Sequence, residues 1–271
     1  MKYLKGSELV EYISERQSKQ VRALVHSKSI KPKLAIISTD PDNSAIQTYI
    51  KLKTKRAEEL RIDLEHFELE QAQCEQKIKD LAEDTSVHGI ILQLPLKDPS
   101  QTDHLLSLIP PEKDVDGMGA SSFVPPATAQ AVLWLLAGYN IDLNNKKLLV
   151  VGRGRLVGAP LIKLIEAQGL QVSSIDECDS HEALSLAVKR ADIIISAAGS
   201  PSLINENMLR DSQVIIDCGT SESGGKLVGD LDPEVYNSKL DLKVTPQIGG
   251  VGPLTISCLF ENLLHLIDKR A

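Results

Sequence analysis

Short, almost unbroken runs of aliphatic and β-branched residues alternate along this chain with longer segments whose apolar positions recur at helical spacing. The runs are Leu34–Ser38 (LAIIS), Gly89–Leu94 (GIILQL), Lys147–Val151 (KLLVV), Ala191–Ser196 (ADIIIS) and Gln213–Asp217 (QVIID). Between them, Ala45–Leu60, Gln101–Leu108, Val157–Gln168 and Glu182–Lys189 read as amphipathic helices. A strand with one wet face would alternate polar and apolar residues. Continuous apolar strands separated by helices predict parallel sheets covered on both faces, an α/β fold. The stretch Gly119–Ala131 (GASSFVPPATAQA) is small, Pro-rich and poor in charge, and it predicts a boundary between two βα series. A last helix over roughly Pro253–Lys269 could complete either series.

Composition narrows the class without choosing within it. The 271 residues suffice for one large domain or two modest ones, and 42% hydrophobic with 25% charged is ordinary for a globular protein. A formal charge of -7 argues against a general binder of nucleic acid or of membrane surfaces, since both repel an acidic partner. Cys74, Cys178, Cys218 and Cys258 form no C-x-x-C pair and read as small apolar residues of a reducing compartment. The opening MKYLKGSELVEYI lacks the apolar core of a signal peptide, and no run approaches 18 apolar residues, so a cytoplasmic protein is expected. The six histidines show no ligand-like spacing, and no metal site is expected.

Five stretches carry chemistry. In VVGRGRLVGAP, Gly152, Gly154 and Gly158 join a buried strand to a helix, with one residue more than the usual G-x-G-x-x-G. Such a turn lets backbone N–H groups approach a pyrophosphate at the positive end of the helix; the plain alternative is a tight turn without a ligand. Arg153 and Arg155 could each bind a phosphate, whereas Asp176 and Glu177, closing the next strand 18 and 19 residues after Gly158, suit ribose hydroxyls and repel a 2′-phosphate. The balance favours NAD over NADP, with a solvated turn as the bland reading of the two acids. In TPQIGGVGPLT, Gly249 and Gly250 suit a backbone passing close to a ligand, and Pro253 lies near the first position of the final helix.

The remaining two stretches precede that loop. In QTYIKLKTKRAEEL, Tyr49 and Lys53 are four apart and share a helix face, where a phenol and an amine could position substrate and move protons; an ordinary surface contact is the alternative. The Tyr-x-x-x-Lys of short-chain dehydrogenases follows the dinucleotide loop, whereas this pair precedes it by about 100 residues, which excludes that reading. Gln93 in LQLPL ends an apolar strand, where α/β sheets meet ligands, and Asp116 in PEKDVDG sits in an acidic turn; alone, each could be a simple loop residue.

Taken in order, YIKLK, ILQLPL, PEKDVDG, VVGRGRLVGAP, KLVGDLD and TPQIGGVGP resemble the bifunctional methylenetetrahydrofolate dehydrogenase/methenyltetrahydrofolate cyclohydrolase family over nearly the whole chain. The resemblance implies an N-terminal folate domain, residues 1–119 with the helix 253–271 returning to it, a Rossmann-like dinucleotide domain, residues 120–252, and a cleft between the two. It implies oxidation of 5,10-methylenetetrahydrofolate with NAD or NADP, then hydrolysis of the methenyl product to 10-formyltetrahydrofolate, in a homodimer. By the same resemblance Tyr49 packs on the folate, Lys53 is the catalytic lysine with Gln93 beside it, and Asp116 binds the pterin ring. Gly249, Gly250 and Pro253 would meet substrate. Gly152, Arg153, Gly154, Arg155, Val157, Gly158, Asp176, Glu177, Gly199 and Thr220 form the expected cofactor-binding set. This chain departs from the family pattern in several places. Gly154 stands where many relatives have serine, Ile46 replaces a serine before the helix, PPAT replaces P-C-T-P, Ile248 replaces a proline, and the connection from Gly117 to Phe123 is shorter. The competing functions are a single-activity NAD-linked dehydrogenase and a non-catalytic dinucleotide-binding regulator; a regulator needs no proton-transfer lysine.

Overall fold

The computed structural model describes residues 1–223 and 226–270; residues 224, 225 and 271 lie outside the described residues, as do the side chains of residues 222, 223, 226 and 227, the last two in KLVGDLD. The first half runs β1 (Lys2–Tyr3), α1 (Gly6–Lys28), β2 (Lys33–Ser38), α2 (Ser44–Leu60), β3 (Asp63–Glu68), α3 (Gln71–Glu83), β4 (Gly89–Leu92) and α4 (Thr102–Ser107). There follow α5 (Ala127–Gly138), β5 (Leu148–Val151), α6 (Gly158–Ala167), β6 (Val172–Ile175), α7 (His181–Arg190), β7 (Ile193–Ser196) and β8 (Val214–Asp217). The chain closes with β9 (Ser221–Ser223), β10 (Lys226–Val228), β11 (Lys243–Val244) and α8 (Val251–Arg270). These elements form two compact units, one of Met1–Val10 with Thr128–Thr255, the other of Glu11–Ala127 with Ile256–Ala271.

In the unit built on Glu11–Ala127, three parallel strands lie in the order β3-β2-β4. Leu34, Ala35, Ile36 and Ile37 on the central strand have no solvent exposure, which is what its unbroken apolar run requires. One face packs against Cys74, Ile78 and Leu81 of α3 and Leu105 and Leu106 of α4. Edge strand β3, by contrast, alternates in burial and carries the polar sequence DLEHFE. The C-terminal helix packs on the N-terminal one: Gln17 Nε2 donates to Ser257 O at 2.8 Å, and Arg16 and Lys28 pair with Glu261 and Asp268.

The other unit is a six-stranded parallel sheet in the order β1-β11-β8-β7-β5-β6, with β9 and β10 forming a separate antiparallel pair. Leu148–Val151 and Ile193–Ser196 are buried throughout and lie in register, Val151 opposite Ser196. Strand β6, VSSI, is at the sheet edge and half-exposed, so its serines meet water.

The sequence-predicted elements all occur, with ends shifted by one or two residues: β4, β5, β7, β8, α4 and α6 are shorter, while β2, α2, α7 and α8 run longer. The run at Gly89 leaves the sheet after Leu92, so Gln93 stands just beyond the strand. The final helix starts at Val251, and Pro253 is its third residue, within its first turn. The ring is tolerated there because the N–H groups of the first turn have no intrahelical acceptor.

Candidate functional site

Helix α2 presents a buried stripe of Ile46, Ile50, Lys53, Ala57 and Leu60, in which a lysine occupies a position suited to a hydrophobe. The helix is set by Asn43, whose side chain accepts from the Ala45 and Ile46 N–H groups at 3.1 Å each, and it ends at Arg61 in the left-handed region. Lys53 is 6% exposed. Its Nζ donates to Gln93 Oε1 at 2.8 Å. The amide of Gln93 is itself oriented, since Nε2 donates to Leu94 O at 2.9 Å and the backbone N–H donates to Ile37 O at 2.8 Å. Gln93 thus offers its oxygen to the lysine at the C-terminal end of the parallel strands. Burial holds the Lys53 ammonium below the ordinary lysine range, partly opposed by the negative charge of Asp116. For Asp116 burial pushes the carboxyl up; Lys53 pulls it down and Asp114 pushes it up further. Tyr49 lies one turn before Lys53 on α2 and is half-buried.

The turn that carries Asp116 is fixed by two residues that sequence reading passed over. Asp114, 2% exposed, accepts from the N–H groups of Gly117 (3.0 Å), Met118 (3.4 Å) and Gly119 (2.8 Å). Asn262, 5% exposed on α8, donates from Nδ2 to Val115 O at 2.9 Å and to Pro125 O at 3.0 Å. The chain on either side of the 117–123 connection is therefore tied to one amide. Ile90 N donates to Lys113 O at 2.7 Å, which joins the start of the turn to the sheet beside β4. Asn262 had one legible signal, a lone amide within the apolar run LFENLLHLI. Asp114 had none beyond the acidic turn itself.

In the six-stranded unit, the glycine loop follows β5. Gly152 has φ +91° and a Cβ there would collide with the backbone of Ala197; a Cβ on Gly158 would overlap Gly152 O. Close passage of chain past chain thus explains two of the three glycines. Helix α6 then begins behind Val157, which offers no side-chain cap. An uncapped helix N-terminus at the end of a parallel strand suits an anionic pyrophosphate. Strand β5 lies between β6 and β7, so the chain leaves it in opposite directions, the switch point at which such sheets bind ligands. Asp176 and Glu177 follow β6, Gly199 follows β7 and Thr220 follows β8, which puts the expected cofactor residues beyond one edge of adjacent strands. Arg153, Arg155, Glu177, Gly199 and Thr220 are exposed, while Asp176 is half-buried.

Two carboxylates hold the loops here. Asp230 accepts from Ser196 Oγ (2.7 Å), Ala198 N (2.8 Å) and Ser200 N (2.9 Å), and Asp217 from the N–H groups of Gly219, Asp230 and Leu231. Burial raises the Asp217 carboxyl, and the three donated N–H bonds counter it. Gly249, with φ +84°, and Gly250 belong to this unit, and Gly249 O accepts from Ser7 N at 3.2 Å. Pro253 lies in the first turn of α8. Among the described residues no group of histidine, cysteine or acidic side chains could hold a metal ion, and no helix is long and apolar enough to cross a membrane.

Comparison with known proteins gives matches along the whole chain. Residues 4–116 match the family model "Tetrahydrofolate dehydrogenase/cyclohydrolase, catalytic domain", and 126–271 match its "NAD(P)-binding domain". The chain is 34% identical over 282 residues to the bifunctional protein FolD of Lactobacillus acidophilus, covering 99% of this chain and 98% of that one. Among solved structures, the bifunctional methylenetetrahydrofolate dehydrogenase/cyclohydrolase of Campylobacter jejuni is 35% identical, with TM-score 0.90 and full coverage of both chains. The Trypanosoma brucei enzyme, solved with NADP cofactor and an inhibitor, is 28% identical with TM-score 0.90, covering 99% of this chain and 97% of that one.

Proposed function

The chain belongs to the tetrahydrofolate dehydrogenase/cyclohydrolase family, and from that premise we propose how its residues divide the two reactions. It is a bifunctional enzyme that oxidises 5,10-methylenetetrahydrofolate with NAD or NADP and hydrolyses the 5,10-methenyl product to 10-formyltetrahydrofolate. In this reading residues 1–119 with 253–271 serve the folate, and residues 120–252 serve the dinucleotide. The first ten residues pack with the dinucleotide half, where β1 pairs with β11.

Bound NAD(P) supplies the acceptor for the hydride that leaves the one-carbon bridge. The protein's part in that step is positioning, because holding the reacting groups in line removes most of the entropic barrier. Asp116 accepts from the amino and ring N–H groups of the pterin, and Tyr49 packs on the folate. The methenyl product is a cation that water attacks. Lys53 then moves protons: desolvation leaves more of its amine neutral near physiological pH than an exposed lysine would have. Gln93 aims that amine by accepting from it. The observation that carries the assignment is the buried Lys53 held 2.8 Å from an oriented Gln93. The acids after β6 support NAD as the preferred cofactor. A homodimer in the cytoplasm fits the family and the acidic, disulfide-free composition.

The test is a steady-state assay of the purified protein with methylenetetrahydrofolate and each cofactor, followed at the absorbance of the methenyl intermediate, alongside Lys53→Met. The variant is expected to bind cofactor while losing hydrolysis. Full hydrolysis of methenyltetrahydrofolate by the variant would overturn the lysine assignment. A wild-type protein that oxidises but does not hydrolyse would be a single-activity dehydrogenase.

A further inference from the structure

The residues expected to read the adenosine ribose do not act separately in this chain. Arg153 Nε donates to Asp176 Oδ2 at 2.6 Å, and its Nη2 lies 3.9 Å from Asp179 Oδ2. The carboxylate is held ready for the arginine. Asp176 Oδ1 accepts from Cys178 N at 3.1 Å, while the backbone N–H of Asp176 donates to Asp179 Oδ2 at 3.0 Å. The turn 176–179 is thereby closed on itself, with two acidic side chains facing one guanidinium. The pair stabilises both charges: Asp176 lowers its pKa mainly through the Arg153 bond, and Arg153 raises its own through Asp176.

We propose that Asp176 and Arg153 form a selectivity latch, in which Asp176 withholds Arg153 from a ribose 2′-phosphate and so sets the enzyme for NAD. This rests on the cofactor reading above and adds its cause. An arginine beside the ribose site is ordinarily a phosphate clamp, because its fork matches phosphate oxygens. Here the same fork already faces two carboxylates, Asp176 and Asp179. A 2′-phosphate must displace Asp176 from Arg153 and then sit beside Asp176 and Asp179. A 2′-hydroxyl needs neither, since an ionised carboxylate has acceptor capacity beyond the two bonds Asp176 already takes.

The latch differs from simple repulsion in one measurable respect: it acts through Arg153. Calorimetric titration of NAD+ and of NADP+ into wild type, Asp176→Asn, Arg153→Gln and the double variant separates the two. Both nucleotides are measured on each preparation, so the ratio of Kd values cancels any loss of folded protein. Wild type is expected to bind NAD+ more tightly. Asp176→Asn is expected to shift the ratio at least tenfold toward NADP+, about 1.4 kcal/mol, and the double variant to return most of that shift. A ratio in Asp176→Asn within threefold of wild type overturns the latch. So does a shift that survives in full without Arg153. These titrations need no folate turnover, so failure of the latch is distinct from failure of the catalytic assignment. Absence of binding of either nucleotide to wild type would defeat the cofactor reading and the latch with it.

Discussion

Replacing Asn262 with alanine removes a single amide group and frees both ends of the connection that carries Asp116. Its Nδ2 supplies one proton to Val115 O at 2.9 Å and one to Pro125 O at 3.0 Å. Val115 has no solvent exposure, so its carbonyl is left without a partner, whereas Pro125 is half-buried and water can reach it. An orphaned buried acceptor costs about 1–3 kcal/mol, and a bond replaced by water about 0.5–1.5 kcal/mol. Together they predict a loss of about 2–4 kcal/mol, or a fall in Tm of roughly 5–15 °C for a protein of this size. The functional consequence is sharper. With the turn loosened, Asp116 must be ordered on binding, so KM for methylenetetrahydrofolate should rise more than kcat falls, while the Kd for NAD+ stays put. Urea unfolding, initial rates over a folate series and nucleotide titration measure all three. Asn262→Asp keeps the shape, removes both donors and turns a carboxylate toward two carbonyl oxygens, so it should be no more stable than the alanine variant. An alanine variant within 0.5 kcal/mol of wild type, or with an unaltered folate KM, would refute the argument.

Two further expectations follow from the buried ionisable groups. Because burial lowers the Lys53 pKa, the folded protein loses this proton at a lower pH than the unfolded chain, whose lysine titrates at about 10.4; stability should therefore rise with pH between the two values, at up to about 1.4 kcal/mol per unit, and Lys53→Met should lack that increment when Cm is compared between pH 8 and pH 10. Equal pH slopes in the two proteins would remove the depressed lysine from the account. Asp230→Asn keeps one acceptor but sets an amide N–H2 against the donors of Ser196, Ala198 or Ser200; it is expected to cost about 2–3 kcal/mol and to weaken NAD+ binding about tenfold, and wild-type affinity would show that this cradle does not shape the cofactor loop.

The strands were legible because parallel sheets leave a strong trace: the segments 34–37, 148–151 and 193–195 are apolar without interruption and are buried without interruption. Helix α1 was not, since only Gln17, Val21 and Leu24 of its 23 residues are fully buried after its first residue and the rest reads as a polar segment. The all-apolar AQAVLWLLAG of α5 has no periodicity by which helix and strand could be told apart. For the site, the interval between Tyr49 and Lys53 placed both on one helix face, but local pattern left an ordinary surface contact open, and the burial of Lys53 appears only in the structure. The partner of that lysine, Gln93, 40 residues away, was expected only from the family resemblance and not from local pattern. Local pattern is silent too on the contacts of Asn262, whose two acceptors are 147 and 137 residues distant, and on the pairing of Arg153 with Asp176 across the sheet edge. Local pattern gives elements and candidates; long-range closure decides which candidates meet.

The paired cradles of Asp217 and Asp230 have a consequence for how this half of the enzyme can change over generations. They hold the loops after β7 and β8 mostly by main-chain N–H groups, which every residue but proline supplies alike. The exposed side chains of Ala198 and Ser200 contribute nothing to that grip. Those two positions are free to drift, or to be randomised by an engineer, while the two aspartates keep the scaffold on which new cofactor contacts would be tried.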